Sequence, residues 1–262
     1  MKKFFDRIYI FWQYRGLIKQ LVEKDVKLKY RRSFLGYIWS VLNPLLVMCV
    51  MAVVFTHMFR FDIENYPVYL LSGQMLFNFL NISTTNAMHS ITGNASLLKK
   101  VYVPKYIFTF SKITSALVDL LFSLGALLIV MLCTGTRFSV YNLLCIIPIL
   151  ELYVFCVGIG MLLSALNVFF RDIQHIYNAV MTAWMYMTPI FYPVNQLPER
   201  LQWVIKHLNP MYFYIGQFRD NICYGRFAGW GIMLEGVAAA LIMLAVGTAV
   251  FWKKQDNFIL YI

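Results

Sequence analysis

Charge is what this chain of 262 residues has least of. Asp, Glu, Lys and Arg make up 13% of it, against about 25% in an ordinary soluble domain. That deficit excludes a water-soluble globule of this size. The chemistry-bearing residues are also sparse and scattered. His57, His89, His175 and His207 show no metal-ligand spacing, and Cys49, Cys133, Cys145, Cys156 and Cys223 form no C-x-x-C pair. The cysteines read as small core residues. No metal site is expected and no catalytic residue: there is no nucleophile motif and no acid cluster. A G-x-x-x-x-G-K-[ST] loop is missing too, so the chain has no loop of that kind to cradle ATP phosphates. The first 20 residues carry charges without an uninterrupted apolar run, so no secretory signal peptide is expected.

What is present is apolar. Hydrophobic residues make up 60% of the chain and the mean hydropathy is +0.65. Six runs have about the 20 residues that a helix needs to cross a bilayer: residues 37–59, 66–87, 107–132, 141–167, 174–194 and 230–252. They are continuous rather than alternating, which excludes a β-barrel. The second and fifth contain Asn, Ser, Thr and Pro, and read as candidates for a broken or re-entrant path. Charges then sort the connections. Residues 1–36 hold ten Lys and Arg against three acids. Lys99, Lys100, Lys105, Lys112, Arg171, Lys253 and Lys254 fall on the same side, making seventeen of the 23 basic residues. Arg60, Arg137, Arg200, Lys206, Arg219 and Arg226 fall on the other. The positive-inside rule places both termini in the cytoplasm, which six crossings satisfy. The net charge of +11 is therefore a topology signal with some attraction to anionic lipid. It needs no nucleic-acid partner.

Several segments outside the runs have a pattern of their own. Phe4, Phe5, Ile8, Phe11 and Trp12 make one apolar face among Lys2, Lys3, Arg7 and Arg15, as in a helix lying in the membrane interface. A second helix over about 17–32 is too charged for lipid, and is expected beside the membrane leading into the first run. Residues 96–106 mix apolar and basic side chains around Pro104. They read as a short amphipathic segment, either a docking surface for a soluble partner or a plain connector. Residues 195–229 form the one long exterior connection. Pro198 and Glu199 suit a helix start. Leu201, Val204, Ile205 and Leu208 follow at helical spacing, and Asn209 and Pro210 end that pattern ahead of a second apolar stretch. Two short helices dipping into the outer leaflet are expected.

Within the runs, Tyr177, Met181, Trp184 and Phe191 share one helical face, and Tyr37 and Trp39 begin the first run. Flat aromatic faces make contacts that are little directed and tolerate sliding, so these residues are candidates for lining a path through the membrane; ordinary packing is the other reading. Asp119, Glu151 and Glu235 are acids inside runs. Each is a functional candidate because charge there is costly, with pairing to a neighbouring helix as the alternative. Glu235 is close enough to the end of its run to reach the interface.

Five stretches also resemble one family, in its order and at its spacing. They are LVEKDVKLKYRRSFLGYIWSVLNPL (21–45), LLKKVYVPK (97–105), LNVFFRDIQHI (166–176), MTPIFYP (187–193) and LNPMY (208–212). Together they resemble permease subunits of type-2 ABC exporters, in the branch that exports O-antigen, capsule and teichoic acid. Tyr106 and Thr109 stand where that branch often has an acid and a second proline. The resemblance implies an all-α membrane protein of six transmembrane helices, with an N-terminal interfacial helix and re-entrant helices at the outer face. It implies a single transmembrane domain over 1–262. Residues 1–36 would be cytoplasmic helices, 37–194 spans one to five, 195–229 the external segment, 230–252 span six and 253–262 a cytoplasmic tail. The chain would sit in a bacterial cytoplasmic (inner) membrane. Two copies would pair with two copies of a separate ATPase subunit, which would hold ATP and Mg, so this chain itself would carry no cofactor and would not be an enzyme. The substrate would be a lipid-linked polysaccharide moved outward. Leu98, Lys99, Lys100, Val101, Tyr102, Pro104 and Lys105 would match one coupling element, and Arg171 and Asp172 the second ATPase contact. Phe4, Phe5, Ile8, Phe11 and Trp12 would match the gate helix. An exporter of a drug or small lipid in the same superfamily, and a proton-coupled transporter, are the rival readings.

Overall fold

A chain in hydrocarbon must satisfy its backbone polar groups internally, and a helix does so within one segment. The computed structural model describes residues 12–31, 35–59, 63 and 65–261, and no strand occurs among the described residues. The helices are α1 (Arg15–Tyr30), α2 (Trp39–Phe59), α3 (Tyr66–Met88), α4 (Ala95–Leu98), α5 (Tyr106–Thr134), α6 (Ile146–Phe169), α7 (Ile173–Met187), α8 (Glu199–Leu208), α9 (Pro210–Ile222), α10 (Trp230–Lys254) and α11 (Phe258–Tyr261). Four helical segments are long and apolar enough to cross a membrane: Gly36–Phe55, Tyr106–Thr134, Val140–Phe169 and Trp230–Tyr261.

Local chemistry accounts for the element boundaries. Pro67 lies in the first turn of α3, where a missing N–H costs nothing. Gly135 ends α5 in the left-handed region, φ +68°, with its N–H on the Met131 carbonyl. The second apolar run is an unbroken helix of 23 residues. The fifth is not: α7 has 15 residues, about 22 Å of rise, against a hydrocarbon core of about 30 Å. The Thr188 N–H bonds back to the carbonyls of Trp184 and Met185, and Pro189 has no N–H with which to continue. Residues 188–193 are irregular.

α3 lies at the centre, buried along most of its length against α5 and α6. Its side chains and theirs tie the helices together with polar contacts, as membrane bundles do. Ser90 and Thr109 hydroxyls meet at 2.9 Å, and Thr109 bonds Ser164 at 3.3 Å. Asn167 Nδ2 donates to the Met88 carbonyl at 3.1 Å. α6 and α10 run parallel and meet where Gly158 faces Gly247; a Cβ on Gly247 would overlap the Gly158 carbonyl. The molecule thus has two distinct ends. Lys105, Phe169 and Phe258 gather at one. α9 packs on Val140–Cys145, and Gly225 lies against Ser139, at the other.

Candidate functional site

The end built from Lys105 and Phe169 carries the segments singled out for docking. In residues 97–105 the buried Leu98 anchors α4 in the core, while Lys99, Lys100 and Val101 are exposed and Tyr102 is 95% exposed. Pro104 biases the residue before it to extended backbone, which carries the segment into the start of α5. Lys105 turns inward, and its Nζ donates to the Gln255 carbonyl. Burial pushes the Lys105 ammonium below its ordinary value, opposed by the Asp256 carboxylate. Where α6 ends, Phe170, Arg171 and Asp172 are all exposed.

α1 runs along α5 on two ion pairs. Lys112 Nζ is 2.8 Å from Asp25 Oδ1, and Lys29 Nζ is 2.8 Å from Asp119 Oδ2. Ser115 Oγ adds a bond to Asp25 at 3.4 Å. Asp119, one of the acids inside the runs, is therefore partnered. The cleft between these helices has a volume of about 560 Å³ and is lined by Asp25, Lys29, Asn86, Lys112 and Asp119. Of the interfacial helix, Phe4, Phe5, Ile8 and Phe11 lie outside the described residues. Trp12 is exposed, with the Arg15 guanidinium 5.5 Å from its ring centroid.

The residues proposed for a path divide into two groups. Tyr37 and Trp39 are exposed on the first apolar run. Tyr177, Met181 and Phe191 are buried in the chain's own core. The Tyr177 hydroxyl donates to Thr84 at 2.6 Å and Phe191 stacks on Phe55 at 5.2 Å. Trp184 Nε1 donates to Asn209 Oδ1 at 2.8 Å, tying α7 to the start of α9. The open face of α7 is the opposite one, with His175, Asn178, Thr182 and Tyr186 at positions i, i+3, i+7 and i+11.

At the far end two buried polar groups fix α9. Arg219 donates to the carbonyls of Pro189 at 2.7 Å, Ile190 at 2.9 Å and Tyr69 at 3.0 Å. Its guanidinium also lies 3.4 Å from the Tyr69 ring centroid. It thus takes up carbonyls that the break after α7 leaves without helical partners. On the same helix Gln217 Nε2 donates to Glu151 Oε2 at 2.8 Å, and Tyr214 donates to the Gly236 carbonyl at 3.1 Å. Glu151 Oε1 is buried with no hydrogen-bond partner. Glu235 is exposed.

Residues 16–223, from the second residue of α1 to just past the end of α9, match the family described as ABC-2 type transporter. The chain belongs to that family. It is 28% identical over 248 residues to the O-antigen export system permease protein RfbA of Myxococcus xanthus, covering 94% of this chain and 95% of the relative. A protein of the same description from Klebsiella pneumoniae is 29% identical over 244 residues, 92% and 93% of the two chains. The polysialic acid transport protein KpsM of Escherichia coli is 22% identical over 247 residues, 91% and 93%. In this ABC-2 type transporter, sequence reasoning missed two features. Arg219 reads in the sequence only as an exterior cation, and an Arg eleven residues before the start of a strongly apolar helix gives no sign of burial by itself. Residues 253–262 read in the sequence as a cytoplasmic tail, although Phe258 and Tyr261 at i and i+3 can share a packed face.

Proposed function

We propose that this chain is the membrane subunit of an ATP-driven exporter that moves a lipid-linked polysaccharide, of O-antigen, capsule or teichoic acid type, outward across a bacterial cytoplasmic membrane. The observation that carries the reading is the match along nearly the whole length of permeases named for O-antigen export and polysialic acid transport. Two copies form the channel and two copies of a separate ATPase dock from the cytoplasm, supplying ATP and Mg chemistry that this chain does not perform. The chain crosses six times with both termini inside, and α8 and α9 form the re-entrant pair at the outer mouth. Its five long helices supply five crossings, and α7 with the irregular residues after it completes the sixth.

Lys99, Lys100, Val101 and Tyr102, with Arg171 and Asp172, meet the ATPase; their exposure at one end of the bundle supports that role. The path is lined by Tyr37, Trp39 and the open face of α7, where Asn178, Thr182 and Tyr186 offer hydroxyl and amide groups to sugars. Tyr177, Met181, Trp184 and Phe191 hold that face in place from behind.

The test is polymer export by cells or vesicles with the ATP supply clamped and the proton gradient collapsed by an uncoupler. Export continues at its former rate if ATP drives it. Export that stops with the gradient while ATP is constant makes the chain a proton-coupled transporter instead. Reversing the charge at Arg171, by Arg171→Glu, uncouples hydrolysis from export; coupled export at wild-type rate in that variant removes Arg171 from the ATPase contact.

A further inference from the structure

The two segments that face the ATPase in this reading are joined by a third. After α10 the chain makes one tight turn, Gln255–Asn257, and enters α11. Phe258 is fully buried there, edge-on to Phe251 at 5.3 Å and to Phe169 at 5.9 Å. Tyr261 packs on the same Phe169 at 4.8 Å, and Lys254 Nζ lies 5.6 Å from its ring centroid. From the other segment, Lys105 donates to the Gln255 carbonyl and its Nζ lies 5.5 Å from the Phe258 ring centroid. Lys105 closes the 97–105 stretch, and Phe169 is two residues before Arg171. Between them in sequence lie the whole of α5 and α6, so the chain itself sets no local spacing between these two stretches. Edge-to-face rings and a cation over a ring are directional contacts, favourable in a narrow range of geometry. A segment that makes them to both stretches adds, beyond the Thr109–Ser164 bond deeper in the bundle, to what fixes how far apart they stand.

We infer that residues 255–261 are a clasp that sets the spacing of the two ATPase-facing segments, with Phe258 and Lys105 as its positioning residues. A push on residues 99–102 then reaches the ends of α5, α6 and α10 together instead of bending one loop. This rests on the proposed reading, because that reading makes both segments contacts for the ATPase.

The test measures spacing and coupling separately. Spin labels on Lys100→Cys and Arg171→Cys, in a chain whose five native cysteines are replaced, report the spacing by pulsed EPR. The complex with its ATPase reports ATP hydrolysed per polymer exported. Phe258→Ala and Lys105→Met each broaden the distance distribution and raise ATP used per polymer by roughly threefold or more, while the ATPase still copurifies. Lys105→Arg stays near wild type, because it keeps the cation. Should Phe258→Ala fail to fold, Lys105→Met at its half-buried site decides. An unchanged distribution in Lys105→Met overturns the clasp whatever export does. A broadened distribution with unchanged ATP per polymer overturns its role in coupling. Loss of the ATPase with unchanged spacing makes the segment a docking contact, and overturns the clasp as well. A wild-type complex that exports nothing on ATP refutes the proposed function, while the distance measurement still judges the clasp.

Discussion

Arg219 brings a full positive charge into the interior, and three backbone carbonyls and one aromatic face answer it. A carbonyl carries only a partial charge, so the arrangement works because the guanidinium is planar and delocalised and offers several donors at fixed angles. Gly73 leaves room for it: a Cβ there would stand 2.6 Å from the Arg219 Nη2. The expected consequence is specific. Arg219→Met leaves the Pro189 and Ile190 carbonyls without their donor and lowers stability by on the order of 3 kcal/mol. Arg219→Lys recovers part of that at most, since one ammonium cannot reach three carbonyls on two segments. Thermal unfolding of the purified protein in detergent checks both, and a melting temperature for Arg219→Met equal to wild type would show that the break after α7 holds without it. Gly73→Ala is expected to act in the same direction through the crowding of Nη2. None of this was readable from the sequence, because an arginine's partners here come from residues 30 and 150 positions away.

At the scale of elements, the sequence pattern located helices well and their setting less well. The apolar spacing of Leu201, Val204, Ile205 and Leu208 becomes α8, and Asn209 caps α9 by accepting from the Met211 N–H at 3.1 Å. The charges of the stretch that becomes α1 suggested a helix beside the membrane but not which helix it would meet. Its carboxylate and ammonium groups match those of α5 at a reciprocal register, Asp25 to Lys112 and Lys29 to Asp119. A charge count along one helix carries no information about complementary charges on another. The two pairs differ in exposure: Lys29 is the most open of the four side chains, while Lys112 and Asp25 are both largely covered. Solvent screens open pairs, so the Asp25 and Lys112 coupling exceeds that of Lys29 and Asp119, which is about 0.5 kcal/mol. Double-mutant cycles with Asp25→Asn and Lys112→Met, and with Lys29→Met and Asp119→Asn, measure both by thermal unfolding. A larger coupling at Lys29 and Asp119 would mean that the cleft is drier than its lining suggests.

For the molecule as a whole, 13% charge excluded a soluble globule and the continuous apolar runs excluded a barrel, which placed the chain among helical membrane proteins. The family was legible from five short stretches in one order, and the chain's 28% identity to a relative runs over 94% of its length. The number of crossings is less directly written, because hydropathy averages over a window and cannot separate a polar but continuous helix such as α3 from an apolar but short one such as α7. α7 decides the topology. If it crosses with the residues after it, Tyr102 and Trp203 lie on opposite sides; if it turns back, an even number of crossings separates them and they lie on the same side. Both side chains are exposed, on stretches outside the four long apolar helices. Single cysteines at Tyr102→Cys and Trp203→Cys, in a chain freed of its own five, can be probed with a membrane-impermeant maleimide. Tyr102→Cys is expected to react only in inverted vesicles and Trp203→Cys only in right-side-out ones. Labelling of both from one face would take the sixth crossing away. It would leave one terminus outside, and would require the seventeen-to-six division of basic residues to be explained by something other than membrane orientation.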